Sequence, residues 1–154
     1  MNRIEVLRKY VDNVLLKMTD NEERRCAYVH LYGVEQACSM IAIKRGEDVE
    51  LSMAAGMLHD IYSYSAMDSK DHAHKGVTMA IDILVASGQF NDDEIKKICT
   101  AIYSHSDKGT IDSSFDEVLK DADVMQHYFY NPLVEVKESE RVRLEKLIKE
   151  FGLA

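Results

Sequence analysis

The stretch Leu51-Ser-Met-Ala-Ala-Gly-Met-Leu-His-Asp60 runs through a core-like apolar segment and stops on an imidazole beside a carboxylate. A buried helix that surfaces on such a pair suggests a metal or catalytic site. On both sides of it the chain carries helical signals almost without interruption, with one proline (Pro132), seven glycines and no sustained alternation of apolar and polar residues. The expectation is an all-α protein, a compact single-domain bundle of about six to seven helices over 3–18, 22–45, 49–59, 73–87, 92–106, 114–130 and 138–150. Breakers separate them: Gly46-Glu-Asp48, Gly88-Gln-Phe-Asn91 and Asn131-Pro132. The segment Ile61 to Asp71, with Tyr62, Ser63, Tyr64 and Ser65, is expected to be a loop bordering a pocket.

Composition limits the functional classes. A chain of 154 residues, 46% hydrophobic and 30% charged, suits one domain with a sizeable core. Its net charge of −8 argues against long nucleic acid or anionic membranes as partners, because both are recognised by clustered Lys and Arg. A small phosphate ligand stays compatible, since a bound divalent cation can dominate the local field. Cys26, Cys38 and Cys99 form no CxxC pair and are odd in number, as expected of buried, reduced thiols. No apolar run is long enough to span a membrane, and the mixed N-terminus is unlike a signal peptide. These features place the protein in the cytoplasm.

Helical periodicity then selects individual residues. Ala27, His30, Val34, Ala37 and Ile41 recur at steps of three and four and share one face; so do Ile95, Ile98, Ile102 and His105. Two inward imidazoles need partners, because an unpaired buried polar ring costs about 1–3 kcal/mol. Together with His59, Asp60, His72 and Asp123 they offer four imidazoles and two carboxylates, a donor set for hard-to-intermediate divalent ions. Each residue alone has a plainer explanation: a satisfied core histidine, a helix-terminal imidazole at His59, one acid on a solvated face at Asp123. Their conjunction favours a site. Met40, Met53, Met57 and Met79 read as core filler, and Asn91-Asp-Asp-Glu94 as an N-cap and first turn.

This set, in this order, resembles the HD superfamily of metal-dependent phosphohydrolases, whose motif is a histidine, a His-Asp pair and a distant aspartate on consecutive helices. The resemblance covers residues 26–130 and rests on His30-Leu-Tyr-Gly-Val34, Ala54-Ala-Gly-Met-Leu-His-Asp60 and Lys120-Asp-Ala-Asp123. Branches of that family add two histidines, and His72-Ala-His-Lys-Gly76 and Ala101-Ile-Tyr-Ser-His105 are similar to them. Those branches place a glycine four residues after the ligand, so His72 is carried over; His74, on another face of the helix, is the spare.

The resemblance implies His30, His59, Asp60 and Asp123 around one metal, with His72 and His105 completing a second and Asp60 shared as ligand and orienter of the nucleophile. Iron or manganese come first for this donor set, then cobalt, nickel, zinc or magnesium. The implied activity is hydrolysis of a phosphoester or phosphoanhydride of a nucleotide or small phosphorylated metabolite by metal-activated water. Alternatives are a di-iron oxygenase with the same six ligands and a nucleotide-binding module that turns nothing over. The chain departs from many relatives after His-Asp-Ile, where Tyr62-Ser63-Tyr64 replaces a Gly-Lys pair. Lys75 and Lys108 are candidates to supply the missing phosphate contact, and His127, one turn after Asp123, to act as an outer hydrogen-bond partner or proton carrier. The segment 136–151 alternates acids and bases around Val142, Leu144, Leu147 and Ile148 and is expected to pack on its own domain, with oligomeric state left open.

Overall fold

The computed structural model describes residues 2–153. Among them the chain forms eight helices and no strand: α1 (Arg3–Leu15), α2 (Asn21–Arg45), α3 (Val49–Leu58), α4 (Ile61–Ala66), α5 (His72–Ser87), α6 (Asp92–Ser104), α7 (Ser114–Tyr130) and α8 (Glu138–Glu150). Local chemistry explains most boundaries. Asp20, Asp48 and Ser113 accept hydrogen bonds from first-turn amides of α2, α3 and α7, and Asn91 with Glu94 forms a reciprocal capping box at α6. Gly46 and Gly88 end α2 and α5 in the left-handed conformation that a residue without Cβ adopts freely.

The expected loop at 61–71 contains a helix. Ile61 is fully buried and Tyr64, one turn on, packs against the core, so a short amphipathic face overrides the Ser- and Tyr-rich composition. Met67 closes α4 at φ 52° and Asp71 precedes α5 at φ 54°. Left-handed backbone costs a non-glycine residue about 1–2 kcal/mol, which the packing around this corner offsets.

The long α2 is the spine, with α3 and α7 on either side of it, α5 and α6 paired beyond α3, and α1 lying across α3 and α5. Leu7, Val11 and Leu15 of α1 are fully buried, each worth about 1.5–3 kcal/mol of apolar transfer. α2 and α3 approach closely at Gly56, where an added Cβ would meet Glu35 Cα at 2.9 Å. Met57 is core and Met53 and Met79 pack against it, but Met40, one position off the Ala37–Ile41 stripe, is 53% exposed and is no core filler. Cys38 and Cys99 are buried thiols, whereas Cys26 is only partly covered; all three are free. α8 packs on α7 through Leu144 and Leu147, and Arg45 of α2 bridges Asp121 and Glu150 at 2.8 and 2.7 Å. Among the described residues no helix is long and apolar enough to cross a membrane.

Candidate metal centre

Most of the six residues singled out from the sequence stand at helix junctions, where a chain reversal lets side chains from separate helices converge. His59 is the C-cap of α3, Asp60 sits at the N-cap position of α4, His72 opens α5 and His105 is the C-cap of α6. His30 comes from the buried stripe of α2 and Asp123 from α7. Asp60 is central. Its Oδ2 is 3.4 Å from Nε2 of both His30 and His59, while its Oδ1 is 3.3 Å from His72 Nε2 and 3.4 Å from His105 Nε2. Asp123 Oδ1 faces His30 and His59 Nε2 at 3.6 and 3.8 Å. One carboxylate is therefore shared between two clusters, each able to hold an ion.

Hydrogen bonds on the far side of each ring show which nitrogen faces inward. His59, His72 and His105 donate Nδ1–H to the carbonyls of Gly56, Ser69 and Ile102 at 2.8, 2.9 and 2.6 Å, and His30 Nδ1 pairs with Gln126 Oε1 at 2.8 Å. Carbonyl oxygens only accept, so Nδ1 carries the proton and a neutral ring turns its Nε2 lone pair inward. The rings thus aim lone pairs at carboxylate oxygens and at each other, with His30 and His59 Nε2 only 3.1 Å apart. Asp60 Oδ1 and Asp123 Oδ1 are buried with no hydrogen-bond partner among the described residues. Converging acceptors need a cation. Ligand atoms about 2.1 Å from a common ion lie about 3.0–3.5 Å from one another, the spacing found here around Asp60, with Asp123 Oδ1 slightly further out. The residues fit a divalent metal, and the outer hydrogen bonds are those that orient metal-binding imidazoles.

The electrostatics agree. Burial lowers the His59 pKa despite the nearby carboxylates, which disfavours a proton as the charge that satisfies the cluster. Burial also pulls on His30, but the Asp60 hydrogen bond and the charges of Asp123 and Asp60 outweigh it and raise its pKa. Burial would push Asp60 and Asp123 upward; the imidazoles hold Asp60 well below the ordinary carboxylate range, and Lys108 followed by His59, His127 and His30 does the same for Asp123. Both carboxylates are anionic and ready to bind a cation.

A cleft of about 370 Å³ opens on the His30 side of the cluster, bounded by α2, α4, α7 and the segment 131–137, with His30, Asp60, Tyr64, Gln126, His127 and Glu140 in its wall. His127 stacks on His30 with ring centres 5.3 Å apart, points Nε2 at Asp123 Oδ1 (3.4 Å) and donates Nδ1–H to Glu140 Oε1 (3.1 Å). The two lysines behave otherwise than expected of phosphate ligands. Lys75 is bound to Asp68 at 2.9 Å, rests over the Tyr62 ring and lies outside the cleft wall. The Lys108 side chain is largely covered, donating to His105 O at 2.8 Å and Asp123 Oδ2 at 2.5 Å, so it holds Asp123 instead of lining the cleft. His74 is exposed, pairs with Asp71 and stacks on Tyr103, away from the cluster that contains His72.

Several residues at or behind the site escaped the sequence reading. Gln126 was legible, three positions after Asp123 on the same helical face. Others had no local signal. Lys120 is fully buried and donates to Thr110 O at 2.9 Å and to Asp112 Oδ2, while Arg143 of α8 donates to Lys108 O (2.8 Å), Thr110 O (3.0 Å), Glu117 (2.6 Å) and Asp121 (2.9 Å). Together they clamp the 105–113 connection that carries His105 and Lys108.

The HD domain family model matches residues 27–128, which takes in all six clustered residues. The chain belongs to the HD domain family. A similar solved structure is the crystal structure of a predicted HD superfamily hydrolase from an uncultured Thermotogales bacterium, at TM-score 0.62 and 23% identity, covering 97% of this chain and 88% of that one. At that identity the likeness shows a shared fold. No curated protein matched the chain.

Proposed function

We propose that the protein is a metal-dependent phosphohydrolase with a binuclear centre, acting on a phosphoester or phosphoanhydride of a nucleotide or small phosphorylated metabolite. The observation that carries this reading is the divided carboxylate of Asp60, one oxygen towards His30 and His59 and the other towards His72 and His105. Family membership adds to it. Divalent ions bound there, with iron or manganese preferred by the nitrogen and carboxylate donors, supply water of lowered pKa and neutralise charge on phosphoryl oxygens.

The chain's own residues do the rest. Asp60 fixes the spacing of the two clusters, and the outer bonds to Gln126, Gly56, Ser69 and Ile102 keep the rings from turning. Lys108 offsets the charge of Asp123 and leaves only its Oδ1 free. His127, oriented by Glu140 and set in the cleft wall beside Asp123, would carry a proton at Nε2 to or from the bound substrate.

Elemental analysis of protein purified without chelator tests the proposal alongside a phosphatase screen. About two equivalents of metal per chain, falling to about one in His72→Ala and His105→Ala, with phosphate released only by metal-loaded protein, is the expected result. A chain that takes up no metal on reconstitution, or one that consumes oxygen and releases no phosphate, would overturn it.

A further inference from the structure

A phosphoryl group seated on the metal centre presents oxygens to the cleft as well as to the ions, and those oxygens call for hydrogen-bond donors. The side chains around the cleft offer few. Lys75 and Lys108 are held by Asp68 and Asp123. Gln126 accepts from His30 through its oxygen, and its amide nitrogen lies against α2, 3.3 Å from where a Cβ on Gly33 would stand. His127 gives its N–H to Glu140. Lys137 is exposed at the rim, Tyr130 is 60% exposed at the end of α7, and Tyr128 packs edge-on against Phe129.

Tyr64 is different. It belongs to α4, the short helix that opens at Asp60, and stands one turn beyond that carboxylate in the cleft wall. Fully buried Ile61 pins the helix, and the Tyr64 ring packs against the core with its centre 6.0 Å from that of His30. Tyr62, on the opposite side of the same helix, donates its hydroxyl to Asp68, whereas the Tyr64 hydroxyl makes no hydrogen bond among the described residues. Burial first and the charge of Asp60 next push its pKa upward, so it stays a neutral O–H at pH 7. A neutral phenol supplies a donor without a charge for the surrounding carboxylates to capture.

Resting on the hydrolase reading above, we infer that Tyr64 is a substrate-binding residue whose O–H donates to a cleft-facing oxygen of the phosphoryl group at the metal centre. The phenol keeps its proton throughout. Its hydrogen bond strengthens as negative charge builds on that oxygen, so it serves turnover more than binding.

The test compares full-length wild type, Tyr64→Phe and Tyr62→Phe, each loaded with manganese, by calorimetric titration with inorganic phosphate and by hydrolysis of 4-nitrophenyl phosphate, with metal content and Tm measured on each. Tyr64→Phe keeps the ring and loses only the hydroxyl. It should bind phosphate about fivefold more weakly and lower kcat/KM by about 10–100-fold, with metal content unchanged and Tm within about 1 °C of the wild type. Tyr62→Phe should match the wild type throughout. Unchanged phosphate affinity and turnover in Tyr64→Phe would overturn the inference and leave the hydrolase reading standing. Loss of metal from that variant, or equal losses in both variants, would overturn it too, by tracing the effect to the ligands or to α4 as a whole. Where 4-nitrophenyl phosphate is not cleaved, phosphate affinity alone decides. Wild-type protein that carries two metals yet neither binds phosphate nor cleaves an ester would fail the hydrolase reading itself, and the role of Tyr64 with it.

Discussion

Replacing Gly56 with alanine tests whether the closeness of two helices is what creates the metal centre. The added Cβ would lie 2.9 Å from Glu35 Cα, 3.0 Å from Glu35 N and 3.1 Å from Cys38 Sγ. Two of these are backbone atoms that no rotamer change can move, so α2 and α3 must part by about 0.6 Å to reach ordinary contact. Overpacking of this kind costs about 1–3 kcal/mol, and the better helix propensity of alanine returns about 1 kcal/mol, leaving a net loss of up to about 2 kcal/mol. For a chain of this size each kcal/mol lowers Tm by about 2–4 °C. The effect on metal should exceed the effect on folding. His30 and His59 oppose each other across this helix pair at 3.1 Å, and the Gly56 carbonyl orients His59. A displacement of about 0.6 Å exceeds the roughly 0.5 Å tolerance of a ligand constellation, so affinity at the His30–His59 cluster should fall about 10–100-fold. Calorimetric metal titration, paired with thermal melts of the metal-free protein, separates the two effects. Unchanged affinity together with a Tm within about 1 °C of the wild type would refute the argument.

Four further outcomes follow from named contacts. Lys108→Met takes the ammonium partner from buried Asp123, leaving it only the neighbouring imidazoles, and should destabilise the metal-free protein by up to about 3–5 kcal/mol in urea at pH 7; a loss below about 1 kcal/mol would show that the pair is unimportant. Because the folded pKa of Asp123 lies below its unfolded value of about 3.9, its stabilising contribution is complete above about pH 4 and is lost as pH falls through the folded value. Without Lys108, burial regains weight and acid destabilisation should begin at higher pH, which urea midpoints of the two metal-free proteins across the acid range would show; superimposable profiles would contradict this. Arg143→Lys keeps the charge but loses the fork that grips Lys108 O and Thr110 O, so in a two-step metal titration the cluster containing His105 should weaken more than the one containing His30, and equal weakening of both would count against a clamp on the 105–113 connection. Ser52→Ala removes a buried hydroxyl with no partner among the described residues and should raise stability by about 1 kcal/mol, whereas a drop in Tm would mean the hydroxyl is paired after all.

Helix periodicity, caps and breakers are local properties, and they sufficed for seven of the eight helices to within a few residues. The exception, α4, shows only Ile61 and Tyr64 on one face, too short a pattern to signal a helix before the core is present to bury it. Four of the six clustered residues, His30, His59, Asp60 and His105, were legible because an ionisable group on an apolar stripe or at the end of an apolar run has few uses apart from a site; His72 and Asp123 were assigned through the family resemblance. His72 could be separated from His74 only by analogy, and the structure separates them by distance: one ring faces Asp60 and the other stacks on Tyr103.

The long cations were not legible, because a lysine side chain has the reach and freedom to pair with whichever carboxylate folding brings near. Asp123 captured Lys108 and Asp68 captured Lys75. Glu140 and Arg143 act on the site from a helix outside its motifs, through contacts that span 13 to 35 residues of sequence. The amino-acid sequence by itself determined seven of the eight helices and offered the candidate donors in their order along the chain, since these follow from short-range periodicity and residue chemistry. Only the tertiary structure decided which nitrogen each ring turns inward, which cations remain free and what shape of cleft meets the metal centre, because each depends on groups distant in sequence competing for the same few buried partners.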